Sequence, residues 1–265
     1  MMHNAAIAHL GVDYVYIPLP VKPEDLNQAV DGFAAIGLQG FSITIPHKQA
    51  ILPLLAEVSD IAKAVGAVNT VWQTDTGWHG TNTDVEGFLA PLRELDRDWT
   101  QAKAVILGNG GAARAVVAGC AQLGCAEIQV VGRDDQKLEN FLHSWMNSPL
   151  SVNLQVHTWN NLPKLLPETN LLVNTTPIGM SPHVERSPLS LLEVERLHPS
   201  LIAYDLIYTP SPTLFLQQVQ QQGCVAIDGL EMLIQQGAAA LKIWLQQPVP
   251  VDVMRQALQK HLGGS

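Results

Sequence analysis

AVILGNGGAARAVVAGCAQLG, residues 104–124, decides the fold. A short apolar run, Ala104–Leu107, leads straight into the turn Gly108-Asn109-Gly110-Gly111-Ala112-Ala113, and a helix of small residues follows to Gly124. Strand, glycine turn and helix in that order make a dinucleotide-binding βα unit. Gly108 permits the tight turn, Gly110 lets a pyrophosphate approach the backbone, and Ala113, in the third position, lets the helix pack close to the sheet. The helix start offers unpaired N–H groups and a positive dipole end to phosphate. The same glycines would serve an ordinary strand–helix turn. Matching context on both sides favours a dinucleotide site with contacts at Gly108, Asn109, Gly110, Gly111 and Ala112.

The next strand, Glu127–Val131, runs into Gly132-Arg133-Asp134. An acidic residue at the end of this strand would hold the ribose hydroxyls of NAD. Arg133 suits a 2′-phosphate instead, so NADP is expected over NAD. Asp134 leaves two readings: a carboxylate that would repel that phosphate, or a cap for the following helix. Further strands are expected at Leu171–Asn174, Leu201–Leu206 and Cys224–Ile227. Helices are expected at Thr213–Gln222, from Asp228-Gly229 through Trp244, and at Val251–Leu262. His183–Ser187 is the most loop-like stretch.

Composition narrows the class. The chain has 265 residues, enough for two domains, with 47% apolar and 15% charged residues. A net charge of −9 argues against a general nucleic-acid binder. Three cysteines, Cys120, Cys125 and Cys224, form no CxxC pair, and the nine histidines show no HExxH spacing, so no metal site is expected. No apolar run approaches the roughly 18 residues of a membrane span, and no signal peptide is evident, so a cytoplasmic location is expected.

The first half reads as alternating helices and strands. A helix at Met2–Leu10 closes at Gly11. A strand is expected at Asp13–Leu19, a helix at Pro23–Ile36, and a buried strand at Gly40–Ile45. Pro46-His47-Lys48 begins another helix. A helix at Ser59–Val65 and a strand at Ala67–Thr74 follow, and Asp75-Thr76-Gly77 turns into a hairpin partner at Trp78-His79-Gly80. The alternation implies a mainly parallel sheet. Polar clusters fall where strands end: Ser42–Lys48, Gly66–Thr70 and Gly80–Asp84. Turns are rich in such residues, yet three clusters bearing a lysine and an aspartate suggest a polar pocket. Asp84–Leu95 is read as the helix that crosses into a second domain.

The chain resembles the shikimate dehydrogenase family over essentially its whole length. The resemblance is carried by MHNAA at 2–6, TIPHK at 44–48, GAVNT at 66–70, GTNTD at 80–84, GNGGAAR at 108–114, NTTPIGM at 174–180, DLIYTP at 205–210 and DGLEMLIQQGA at 228–238. It implies an α/β protein of two α/β domains. These are a substrate-binding catalytic domain at 1–84, with 230–265 packing back onto it, and a Rossmann-type NADP-binding domain at 85–229. It implies the reversible reduction of 3-dehydroshikimate to shikimate with NADPH, a step toward chorismate and the aromatic amino acids. Lys48 and Asp84 match the catalytic acid–base pair. Thr44, Asn69, Tyr208 and Gln236 match substrate contacts, Met180 and Gly229 match neighbours of the nicotinamide, and Arg133 matches the 2′-phosphate arginine. Partners are expected to be small molecules, with monomer and homodimer both open.

The sequence departs from the family pattern in places. The family has a strand and a Ser-x-Ser segment before Met-His-Asn, the serines binding the substrate carboxylate, and the sequence given starts one residue before that motif. Ser42 stands for a common Asn, and Gly132 and Asp134 for the usual Asn and Thr. These departures keep two other readings in view: an NAD-dependent quinate/shikimate dehydrogenase, and a truncated, non-catalytic dinucleotide-binding protein.

Overall fold

The computed structural model describes residues 1–263, which divide into two compact units. One holds Met1–Gly87 together with the chain from Ile234 onward; the other holds Phe88–Leu233. Among the described residues no helix is long and apolar enough to cross a membrane.

The first unit contains α1 (Met2–Leu10), α2 (Leu26–Ala35), β1 (Gly40–Ser42), α3 (His47–Ala50), β2 (Glu57–Val58), α4 (Asp60–Val65), β3 (Thr70–Thr74) and β4 (Gly77–Thr81). A helix α5 (Asp84–Arg93) leads out of it. The four strands lie in the order β1-β3-β4-β2, and only β2 and β4 run parallel. The expected mainly parallel sheet is therefore wrong for this unit. The turn at Asp75–Gly77, closed by the Thr74 hydroxyl on the Gly77 carbonyl at 2.8 Å, reverses the chain and makes β3 and β4 antiparallel. The expected buried strand at Gly40–Ile45 shrinks to Gly40–Ser42, with Gly40 and Phe41 half-buried and Ser42 exposed. Its apolar anchor, Ile43, joins Leu26, Val30, Val68, Val71 and Trp78 in the core.

The expected strand at Asp13–Leu19 is not formed. Its β-branched and aromatic residues favour extended backbone, but a strand also needs a ladder partner for its N–H and C=O groups. Here the Asn4 carboxamide serves Tyr16 alone, accepting from its N–H at 2.7 Å and donating to its carbonyl at 2.8 Å. Tyr14, Val15, Ile17 and Leu19 remain exposed. Between this segment and the residues leading into β1 lies a cavity of ≈ 410 Å³, whose lining includes Tyr14, Tyr16, Leu38, Gly40 and Trp244.

The second unit begins β5 (Lys103–Leu107), α6 (Gly111–Leu123), β6 (Glu127–Gly132), α7 (Asp135–His143), β7 (Leu154–Thr158), α8 (Leu162–Leu165) and β8 (Leu171–Asn174). It continues α9 (Leu191–Val194), β9 (Ile202–Asp205), α10 (Leu214–Gln221), β10 (Val225–Ile227) and the start of α11 (Leu230–Leu245). All six strands are parallel, in the order β10-β9-β8-β5-β6-β7. The chain leaves β5 to one side through β6 and β7, then returns to β8 on the other, so the order reverses between β5 and β8. A doubly wound sheet places ligands at that reversal, beyond the carboxyl ends of the strands. Both faces are covered, which is why β5, β8 and β9 read as apolar runs. The edge strand β7, Leu-Gln-Val-His-Thr, mixes polar and apolar residues and escaped the sequence reading.

Helix α11 returns to the first unit, where α12 (Val251–Leu262) packs along α1. Gly237 allows α1 to close on α11: a Cβ there would lie 2.4 Å from the Met2 methyl and 3.3 Å from the His3 ring. His3 is buried and stacks on Tyr16 with ring centroids 4.3 Å apart. Burial pulls its imidazole down to about 4. The unfolded chain, with an ordinary imidazole near 6.5, takes up a proton that the folded chain refuses. Folding stability is therefore intact above about 6.5 and is lost as pH falls toward 4. We predict that His3→Phe, which keeps the stack, removes on the order of 3 kcal/mol of this acid-limb loss. Chemical denaturation of both chains across that window measures the difference, and equal slopes would mean that the imidazole stays hydrated.

Candidate active site

In the first unit the three polar clusters converge. β1 ends at Ser42, a cis Ile45–Pro46 bond follows, and α3 presents Lys48. The Lys48 carbonyl accepts the Val68 N–H at 2.8 Å, which ties this turn to the chain entering β3. β4 ends at Thr81, and Asp84 opens α5, where a helix N-terminus favours a carboxylate. The side chains meet there: Lys48 Nζ donates to Asp84 Oδ2 at 2.6 Å, and Asn69 Nδ2 donates to Asp84 Oδ1 at 2.8 Å.

The supporting bonds run inward. Asn69 Oδ1 accepts the Thr83 N–H at 2.8 Å, the Thr70 hydroxyl at 2.9 Å and the Thr83 hydroxyl at 3.2 Å. Asn82 Oδ1 accepts the Asp84 N–H at 3.0 Å while its amide donates to the Ala67 carbonyl at 3.0 Å. Asn69, Thr70, Asn82 and Thr83 are buried, whereas the Lys48 and Asp84 side chains keep 28% and 19% of their surface. A rigid buried frame thus holds a charged pair at the surface. An ammonium has three N–H donors, and Asp84 takes one of Lys48's, so the others can reach an incoming oxygen. Thr70, Asn82 and Thr83 were not singled out in the sequence, although they lie within the GAVNT and GTNTD motifs. Thr44 is exposed between β1 and α3, its carbonyl accepting the His47 N–H at 2.9 Å. Gln236 is half-buried on α11 in the same unit.

The other candidate residues lie in the second unit. Gly108 has φ +101°, and a Cβ there would sit 2.8 Å from the Thr175 hydroxyl, so this position excludes any side chain. Its N–H donates to the Val131 carbonyl at 2.8 Å, tying the turn to β6. Gly110 and Gly111 start α6 with nothing within 4 Å of where a Cβ would stand. Open space over a free helix N-terminus fits a diphosphate. Asn109 lies against Gly132 at the end of β6, and Arg133 beyond it is exposed.

Of the two readings of Asp134, the structure selects the cap: its carboxylate accepts the Lys137 N–H at 3.0 Å at the start of α7. Met180 and Tyr208 are exposed after β8 and β9. Gly229 is buried between β10 and α11, where a Cβ would lie 2.1 Å from the Leu206 carbonyl oxygen. Packing alone therefore demands glycine at that position.

Comparison with known proteins identifies the family. The family described as shikimate dehydrogenase substrate binding domain matches residues 1–71, and the shikimate 5'-dehydrogenase C-terminal domain matches residues 229–259. The NADP(+) shikimate dehydrogenase of Trichormus variabilis is 68% identical over 99% of this chain and 92% of its own. Among solved structures, the shikimate 5-dehydrogenase of Listeria monocytogenes, in complex with shikimate and NAD, has a TM-score of 0.89 and 35% identity, covering 97% of this chain and 90% of its own. A shikimate dehydrogenase in complex with NADP+ follows at a TM-score of 0.88 and 35% identity, covering 98% and 89%. With matched residues at both ends of the chain and a relative this similar along nearly all of it, the chain belongs to the shikimate dehydrogenase family.

Proposed function

We propose that this chain is an oxidoreductase that reduces 3-dehydroshikimate to shikimate reversibly with NADPH, a step of the shikimate pathway. The observation that carries the reading is the hydrogen-bonded set Lys48–Asp84–Asn69. When bound, the nicotinamide supplies or takes the hydride. The chain's own groups handle the proton. A carbonyl oxygen accepting hydride gains negative charge, so a cation carrying a transferable proton lowers the barrier. Lys48 Nζ holds that proton and gives it to the new hydroxyl; in the other direction it receives it. Asp84 keeps the ammonium aimed, and Asn69, locked by Thr70 and Thr83, keeps Asp84 in place.

Thr44, Asn69, Tyr208 and Gln236 are proposed to contact the substrate. Gly108, Asn109, Gly110, Gly111 and Ala112 would cradle the diphosphate, Arg133 would take the 2′-phosphate, and Met180 and Gly229 would flank the nicotinamide. A cytoplasmic location is inferred as well. The cysteines Cys120, Cys125 and Cys224 are buried and unbridged, as a reducing compartment leaves them.

The deciding experiment is shikimate-dependent reduction of NADP⁺ followed by absorbance of the product nicotinamide. Turnover with NADP⁺ well above that with NAD⁺ is expected, and binding of NADP⁺ without turnover would sink the reading. Lys48→Ala should lower kcat by about 10²–10⁴-fold, the usual worth of a general acid, while NADP⁺ affinity measured by calorimetry stays unchanged. Arg133→Leu should raise KM for NADP⁺ by about tenfold or more and leave KM for NAD⁺ nearly as it was, since only the former has a phosphate for a guanidinium to hold. Equal effects on both cofactors would show that Arg133 does not read the 2′-phosphate.

A further inference from the structure

One buried charge in the second unit has no part in the chemistry above. Asp205 ends β9, is fully buried, and both of its carboxylate oxygens accept hydrogen bonds, with the Asp228 carboxylate as a like-charged neighbour. Its Oδ1 accepts Asn174 Nδ2 at 3.0 Å and the Ile207 N–H at 3.1 Å, and its Oδ2 accepts the Thr213 hydroxyl at 2.7 Å. Burial pushes the Asp205 carboxyl up to about 6, even with those donors present. A buried ionisable group of this kind is a poor device for stability alone, since apolar side chains of similar volume often do as well or better.

Its partners bind two loops into one piece. Asn174 ends β8, and its amide reaches both Asp205 and the Ile178 carbonyl, the latter at 3.2 Å. Its oxygen accepts the Thr176 N–H at 3.0 Å and the Thr176 hydroxyl at 2.7 Å, so residues 174–178 wind around this side chain. On the other side, Thr213 caps α10 through the Leu216 N–H, and the Ile207 carbonyl accepts the Gly229 N–H at 3.1 Å. The loops touch: a Cβ on Gly179 would stand 3.7 Å from both Ile207 and Thr213. The segments that carry Met180, Tyr208 and Gly229 are thus referred to a single carboxylate.

We propose that Asp205 is a positioning residue for the nicotinamide half of the cofactor, fixing the loops after β8 and β9 as one floor. The sheet order supports the assignment. A dinucleotide straddles the reversal between β5 and β8. With Arg133 following β6 at the adenosine end, the other half of the cofactor lies over β8 and β9. The inference rests on the cofactor reading given under the proposed function.

The test compares NADP⁺ with 2′,5′-ADP, which keeps the adenosine end and lacks the nicotinamide, by calorimetry on Asp205→Ala and Asp205→Asn. In Asp205→Ala the ratio of the two dissociation constants should rise about tenfold through loss of the NADP⁺ affinity, with 2′,5′-ADP binding held within about twofold. kcat for shikimate should fall by at least the same factor. Asp205→Asn keeps the shape and an acceptor for Asn174 and Ile207, and should recover most of both losses. If the alanine variant does not fold, Thr213→Val, which removes one donor and leaves the charge, should move the same ratio in the same direction by a smaller factor. A fall in Tm with an unchanged ratio, or parallel loss of both ligands, would overturn the proposal. A wild-type chain that binds NADP⁺ but leaves shikimate untouched would overturn the substrate reading alone, because the ratio needs no turnover.

Discussion

The carboxylate of Asp84 has to accept from a lysine and an asparagine delivered by two other turns, and the first unit is built so that all three arrive together. A partly exposed ion pair contributes about 0–1 kcal/mol to stability, so the pair does not hold the fold. The fold holds the pair. β3 and β4 are antiparallel, which brings the chain leaving β4 beside the chain entering β3; Asn69 sits on one, Thr83 and Asp84 on the other. Each buried amide and hydroxyl around Asn69 has a partner, and the frame cannot rotate without leaving polar groups unpaired at a cost of roughly 1–3 kcal/mol each.

Legibility in the sequence followed burial. In the second unit, strands covered on both faces are apolar runs, and Gly108-Asn109-Gly110 announces the turn, so β5, α6, β6, β8 and β9 could be read to within a residue or two. β7 could not, because an edge strand carries Gln155 and His157 among its apolar residues. The first unit was harder. Tyr14–Leu19 has strand composition but, among the described residues, no neighbouring strand to pair with, and composition does not reveal pairing. The turn at Asp75–Gly77 announced the β3–β4 hairpin, whereas the antiparallel pairing of β1 with β3 had no such signal and the alternation of helices and strands pointed to a parallel sheet. At the site, three polar clusters at strand ends, bearing Lys48 and Asp84, suggested a pocket, and the family resemblance gave that pair its role. Thr70, Asn82 and Thr83 have the same composition as any solvated turn, and only their hydrogen bonds tell them apart.

The pair after β6 shows the same limit. Arg133 and Asp134 are adjacent and opposite in sign; the arginine points to NADP, and in the sequence the aspartate leaves two readings open. The geometry separates them, since Asp134 spends its carboxylate on a backbone N–H of α7 while Arg133 is exposed beyond β6. The one carboxylate next to Arg133 in sequence is thus occupied as a helix cap.

Gly110 and Gly111 carry a consequence of a different kind. Gly110 has φ −88°, an ordinary value for any residue, and neither position is crowded by the protein. At Gly111, the first residue of α6, alanine commonly stabilises a chain by about 0.4–1 kcal/mol through the unfolded state. At Gly110, the N-cap, glycine outranks alanine. Libraries sorted only for thermal resistance would drift away from glycine at 111 but not at 110, nor at 108, where φ +101° makes glycine a requirement of folding itself. Glycine at 111 is thus a residue the fold itself does not require, and its open side is where the proposed diphosphate would lie.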